Sequence, residues 1–210
     1  MIDAGQVDVP PTIAGVWVTL EAISNLNAAE VAEVDARRQF VPEMGGPYVR
    51  RRLKGRFGPS MAIRENKSGQ IIGTLENDEM AGYPGVAVYI IYADLERSRP
   101  GFAMEASGLY IPTLFDRGAD ILHLEILSFN REMTHMLDRR HRPPDVRMRR
   151  HAYVAGHYWD LLIYGFDRAD WEAFLNKFRV VLPGGPRAIA ALGSGKNVPS
   201  RLAGEGQGGK

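Results

Sequence analysis

The stretch that decides the fold runs from Val86-Ala87-Val88-Tyr89-Ile90-Ile91-Tyr92 into Arg97-Ser98-Arg99-Pro100-Gly101-Phe102-Ala103-Met104-Glu105-Ala106. The first part is apolar at odd and even positions alike, as in a strand covered on both faces at the centre of a sheet. The second part brings arginines and a glycine to a strand-to-helix junction. Free backbone N–H groups, the positive end of a helix and cationic side chains converge there, an arrangement that cradles an anion such as a cofactor pyrophosphate. Phe102, Ala106, Leu109, Tyr110, Thr113 and Leu114 then recur at helical spacing.

Working outward, Ile13 to Leu20 reads as a strand after the Pro10-Pro11 breaker, and Asn27 with Glu30 reads as a capping box opening a helix to about Phe40. Tyr48 to Arg56 reads as a second, basic helix. Met61 to Glu65 and Gln70 to Leu75 are strands joined by Asn66-Lys67-Ser68-Gly69, a hairpin signal. Ile121 to Phe129 is a further strand, followed by a short helix from Met133 to Arg140. Arg149 to Val154 and His157 to Tyr164 flank Ala155-Gly156 as a terminal hairpin, and Arg168 to Phe178 forms the last helix. This order predicts an α/β class (an α+β mixed sheet): a central twisted mixed β-sheet, helices on both faces, and a terminal β-hairpin. Residues 1–180 form the expected domain, and residues 181–210 a Gly/Pro-rich, flexible tail.

The 210 residues are enough for one domain with a sizeable core, and 45% hydrophobic with 24% charged residues is an ordinary globular balance. The absence of cysteine excludes a disulfide framework and Cys-based metal or redox chemistry. A formal net charge of +1 gives no global pull towards nucleic acid or anionic lipid. With neither a signal-peptide pattern nor a membrane-length apolar run, the expectation is a cytoplasmic protein.

Residues from about Trp17 to Phe174 resemble the GNAT superfamily of acyl-CoA N-acyltransferases, most closely the branch of RimJ and RimL, which acetylate protein N-termini. The matching pieces stand in the family's order. They are Ile71-Ile72-Gly73-Thr74 on the early hairpin and Gly101-Phe102-Ala103-Met104-Glu105-Ala106 opening a helix. Leu124-Glu125-Ile126-Leu127-Ser128-Phe129-Asn130 then ends a strand. Arg149-Arg150-His151-Ala152-Tyr153-Val154-Ala155-Gly156-His157-Tyr158-Trp159-Asp160 forms the hairpin, with Asp170-Trp171 beyond. The resemblance implies that Val86 to Tyr92 and Ile121 to Phe129 splay apart to admit an acyl thioester. It implies acetyl-CoA or another acyl-CoA as co-substrate and no metal. The acceptor is a primary amine of a small molecule or a peptide N-terminus, and the hairpin is a homodimer surface. Carried over residue by residue, it puts the pyrophosphate on Gly101, Phe102 and Ala103 with Arg97 and Arg99, and the pantetheine or its water on Asn130.

The departures are specific. Where the family loop begins with Gln or Arg stands Ser98, and Pro100 fills a slot that usually supplies an amide. The central strand carries no carboxylate, and the place of the family's proton-donating tyrosine is Leu137. Pro112 interrupts the cofactor helix. The expected catalytic residues are therefore Glu125, which shares a strand face with His123, together with Tyr89 and Thr134. Glu125 and His123 otherwise lie solvated near a sheet end. The alternative is a fold that binds acyl-CoA as a regulatory module, or draws its acyl group from a carrier protein or aminoacyl-tRNA.

The basic runs Arg50 to Arg56 and Arg139 to Arg142 read as solvated helix faces more readily than as a nucleic-acid surface. His151 and His157 flank a turn without metal-ligand spacing. Asp160 reads as a buttress of the hairpin, and Glu105 as structural.

Overall fold

The computed structural model describes residues 12–39, 57–93, 101–139, 142–154 and 156–177. The expected basic helix at 48–56, Arg97 and Arg99, and the tail at 181–210 lie outside the described residues. The elements are β1 (Thr12–Ala14), β2 (Val18–Ala22), α1 (Ala28–Gln39), β3 (Met61–Glu65), β4 (Ile71–Glu79) and β5 (Val86–Ala93). They continue with α2 (Phe102–Asp116), β6 (Ile121–Leu127), α3 (Arg131–Asp138), β7 (Val146–Val154), β8 (His157–Phe166) and α4 (Arg168–Asn176). All strands join one sheet in the order β1-β2-β3-β4-β5-β6-β8-β7. Every neighbouring pair is antiparallel except β5 and β6, which run parallel. The expected mixed sheet with helices on both faces and a terminal hairpin is the observed architecture.

The sheet's two faces follow from strand alternation. On the back, Leu75, Tyr89, Leu124, Tyr164 and Phe166 pack with α2 and α4 into the main core. Phe166, Trp171 and Phe174 form one aromatic cluster there, with ring centroids 5.4 to 5.8 Å apart. Each such pair adds about 1 kcal/mol to the burial itself. On the front, α1 lies against Ala62 and Ile71, and Arg64 reaches Glu30 of that helix and Glu21 of β2, both at 2.8 Å. Asn77, fully buried on the back, accepts from the Phe57 N–H and donates to the Gly58 carbonyl and the Tyr110 hydroxyl, so no polar atom of its amide is stranded.

The single strand expected over 13–20 is a hairpin instead. The chain turns at Gly15, where a Cβ would meet the Val18 carbonyl at 2.7 Å and a Leu109 methyl at 2.8 Å. Its N–H donates back to Val18. The carboxylate that closes this turn comes from a helix 88 residues downstream, so no local pattern announces it. The capping box at α1 is as expected: Asn27 accepts from the Ala29 and Glu30 amides, and Glu30 accepts from Asn27 in return. The helix α2 runs on through Pro112, which withholds one bond from Gly108.

Candidate functional site

β5 and β6 are paired only from Val86↔Ile121 to Tyr89↔Leu124, although β5 runs on to Ala93 and β6 to Leu127. Past that last rung the strands part. β6 is held on its other side by β8 through Leu127↔Leu161, and β5 by β4 through Gly73↔Ala93. The fork therefore lies between two braced strands.

The helix that follows β5 begins beside the fork. Gly101 caps α2 at φ +97°, a left-handed conformation that glycine adopts freely. A Cβ there would also strike the Trp17 ring at 2.8 Å. Helices α1, α3 and α4 each have a side chain closing the first turn, from Asn27, Asn130 and Asp167. Glycine at the cap of α2 has none to offer, and among the described residues no side chain caps that first turn. Phe102 is buried, with its ring 5.7 Å from Trp17.

Glu105 fixes this corner. Only 3% exposed, its carboxylate accepts the backbone N–H groups of Val16 (2.7 Å), Trp17 (2.9 Å) and Val18 (3.0 Å). Burial pushes the carboxyl up, and the three donated bonds pull it back. The N-terminal hairpin is thus bolted to the first turn of α2, with Trp17 laid over Gly101.

The fold as a whole is similar to known structures. No protein-family model and no curated protein matches the chain. Among solved structures, a GCN5-related N-acetyltransferase from Brucella melitensis superposes at TM-score 0.60, with 20% identity over 80% of this chain and 84% of that one. RimJ from Mycobacterium smegmatis, solved with CoA-disulfide, superposes at 0.56, with 18% identity over 77% of this chain and 87% of that one. The same score is reached by yncA from Salmonella typhimurium, solved with its cofactor acetyl-CoA, at 14% identity over 71% and 93%. The chain has the GNAT acetyltransferase fold.

Within that GNAT fold the expected site residues fall on different sides of the sheet. Tyr89 is on the back, buried at the last rung, with its hydroxyl 2.8 Å from Ser107 Oγ. Ser107 in turn donates to the Ala103 carbonyl, which leaves Tyr89 as the donor of the pair. Desolvation pushes the phenol far up, so it stays protonated. Glu125 is on the front, half-buried one step past the last rung. Burial raises its carboxyl, while the charges of His123 and His151 oppose the rise. The His123 Nδ1 is buried without a partner, and its ring lies over Gly165.

Asn130 and Thr134 follow β6, at the cap of α3 and within it. Asn130 caps α3 by accepting from Met133 at 3.2 Å, and the Thr134 hydroxyl donates to the Asn130 and Arg131 carbonyls. Leu137, at the place of the family's tyrosine, is fully buried in the core.

The sequence reading missed Glu76. It lies on β4 directly across from Ile90, on the front, and is 7% exposed. Its neighbour Asn77 bonds α2 on the back, and alternation turns Glu76 the other way. It sits inside the polar run Glu76-Asn77-Asp78-Glu79, where only pairing with β5 distinguishes one acid from the next. The two carboxylates Glu76 and Glu125 therefore flank β5, the strand that has none. Asp160 braces the hairpin by accepting from the Arg150 N–H and Arg147 Nε, at 2.8 and 2.7 Å, across the register shift in β7.

A larger concavity of about 340 Å³ between α1 and the β3–β4 hairpin is lined by Glu30, Arg64 and Gln70. Its arginine is spent on Glu21 and Glu30, and it lies away from the fork. Among the described residues no group of His, Asp and Glu is arranged to hold a metal, and no helix is long and apolar enough to cross a membrane.

Proposed function

We propose that this chain is an N-acyltransferase that moves an acyl group from acyl-CoA to a primary amine. The observation that carries the reading is the fork between β5 and β6 beside a glycine-capped helix start. The fork takes the thioester and pantetheine between the two strands. The first turn of α2 (Gly101, Phe102 and Ala103), with Arg97 and Arg99 just before it in the sequence, takes the pyrophosphate. Asn130 meets the pantetheine.

The acceptor amine approaches from the front face, where Glu125 takes its proton directly or through one water. The nitrogen then attacks the thioester carbonyl, the C–N bond forms, and collapse of the tetrahedral intermediate breaks the C–S bond. The leaving thiolate takes a proton from solvent, with Tyr89 and Thr134 as the nearest hydroxyl groups in our assignment. Holding donor and amine at one point supplies much of the rate. RimJ gives the reading of a peptide N-terminus as acceptor, while the likeness to other acetyltransferases supports a small-molecule amine equally. The exposed Val146 and Met148 on edge strand β7 mark the surface for a homodimer.

Isothermal titration of the full chain with acetyl-CoA and free CoA tests the proposal. Micromolar binding that Arg99→Ala weakens, with the fold intact, supports it. No binding to either compound overturns it.

A further inference from the structure

Directly beneath the fork, on the back of the sheet, is a small cavity of about 20 Å³ lined by Tyr89, Ile91, Leu124, Met133, Met136 and Trp171, with Met104, Ser107 and Phe174 closing it. Two of these residues, Tyr89 and Leu124, are the last paired rung of β5 and β6, and Ile91 is the next back-facing residue on the freed strand. The cavity is therefore continuous with the point where the strands part. We infer that it receives the hydrocarbon tail of the acyl group, and that the preferred donor is a straight-chain acyl-CoA longer than acetyl. This rests on the acyl-transfer reading above and specifies its substrate.

The chemistry of the lining selects hydrocarbon. Its hydroxyl hydrogens are consumed internally, Tyr89 on Ser107 and Ser107 on the Ala103 carbonyl. The one other polar atom, Trp171 Nε1, is a lone donor without an acceptor. The amides of a pantetheine arm would be left largely unpaired against such walls, at a cost that an alkyl chain does not incur. The cavity as it stands holds about one water-sized group, and it is bounded by the methionines of α2 and α3. All three are only partly buried and pack against the rim of the core. Unbranched thioether side chains swing aside without the strain a branched residue would impose. The pocket therefore deepens along the helices as a chain enters.

The test is titration of the full chain with free CoA and with acetyl-, butyryl-, hexanoyl- and decanoyl-CoA. Each methylene buried gains up to about four-fold in affinity, so butyryl- or hexanoyl-CoA should bind about ten-fold or more tighter than acetyl-CoA, with free CoA weakest. Met136→Phe should shorten the preferred chain and Met136→Ala lengthen it. Met133→Ala serves as the second enlarging variant if the first does not fold. A flat series, or one in which acetyl-CoA binds best while free CoA still binds, overturns the inference and leaves the acyltransferase reading standing. Failure of CoA and of every ester to bind overturns both.

Discussion

Glu125 is half-buried, and the desolvation of its carboxyl outweighs the opposing charges of His123 and His151, so it holds its proton above the ordinary carboxylate range. A base with this environment gives kcat/KM an acid limb above about pH 4.3. Glu125→Gln should remove that limb and lower turnover while CoA affinity is kept; a variant with the wild-type pH profile assigns proton transfer to another group. The sign of its linkage to stability is also fixed. A pKa raised by folding contributes stability below the unfolded value, and that contribution is lost as pH rises through the folded one. Glu125→Gln should therefore melt no lower than wild type at neutral pH, and a lower Tm there would mean that the carboxylate makes structural contacts. Glu105 is the opposite kind of residue, since its carboxylate satisfies three backbone donors at once. Glu105→Ala strands buried N–H groups and should cost about 3 kcal/mol in urea unfolding. A loss within experimental error would show that the N-terminal hairpin detaches without consequence. Both residues were singled out in the chain, Glu125 as a base and Glu105 as structural, but their surroundings were not legible there. Glu105 looked structural from its place in a first helical turn, but its partners at Val16 to Val18 belong to another part of the sequence.

At the scale of elements, α2 ends on one left-handed glycine and begins on another, and the two differ in what surrounds them. Gly101 at φ +97° has the Trp17 ring 2.8 Å from where a Cβ would be, whereas Gly118 at φ +92° has nothing within 4 Å. Gly101→Ala should shift the first turn and weaken CoA binding about ten-fold, equivalent to about 1.4 kcal/mol. Gly118→Ala pays only the left-handed penalty of about 1 kcal/mol and should leave CoA affinity unchanged. Titration of both variants separates cradle geometry from general loss of stability, and equal affinities would detach Gly101 from the site. The caps of α1 and the helical phase of α2 were plain in the sequence, because spacing and capping chemistry are local. The split of the first strand into β1 and β2 was hidden, because Gly15 reads as an ordinary strand residue until Val18, Leu109 and Glu105 crowd it.

At the scale of the whole molecule, the fork is the one place among the described residues where the ladder of an otherwise continuous sheet stops between two strands that both run on. A ligand that fills it binds the folded state alone, and at about 100-fold above its Kd it should stabilise the protein by about 2.7 kcal/mol. The matching protection from hydrogen exchange should appear in β5 beyond Tyr89 and in β6 beyond Leu124. Protection confined to other strands would place the ligand elsewhere. Apart from the split of β1 from β2, the sequence by itself determined the order of the described elements and the central position of Val86 to Tyr92, whose apolar residues on both faces exclude an edge. It also determined the mixed α/β class, because the periods of strand and helix are written into neighbouring residues. Only the tertiary structure decided where β5 and β6 part, that Glu76 and Glu125 flank the strand lacking a carboxylate, and that methionines from α2 and α3 meet beneath the last rung. Those relations join residues tens of positions apart, and they exist only once packing has set the register of each strand against the next.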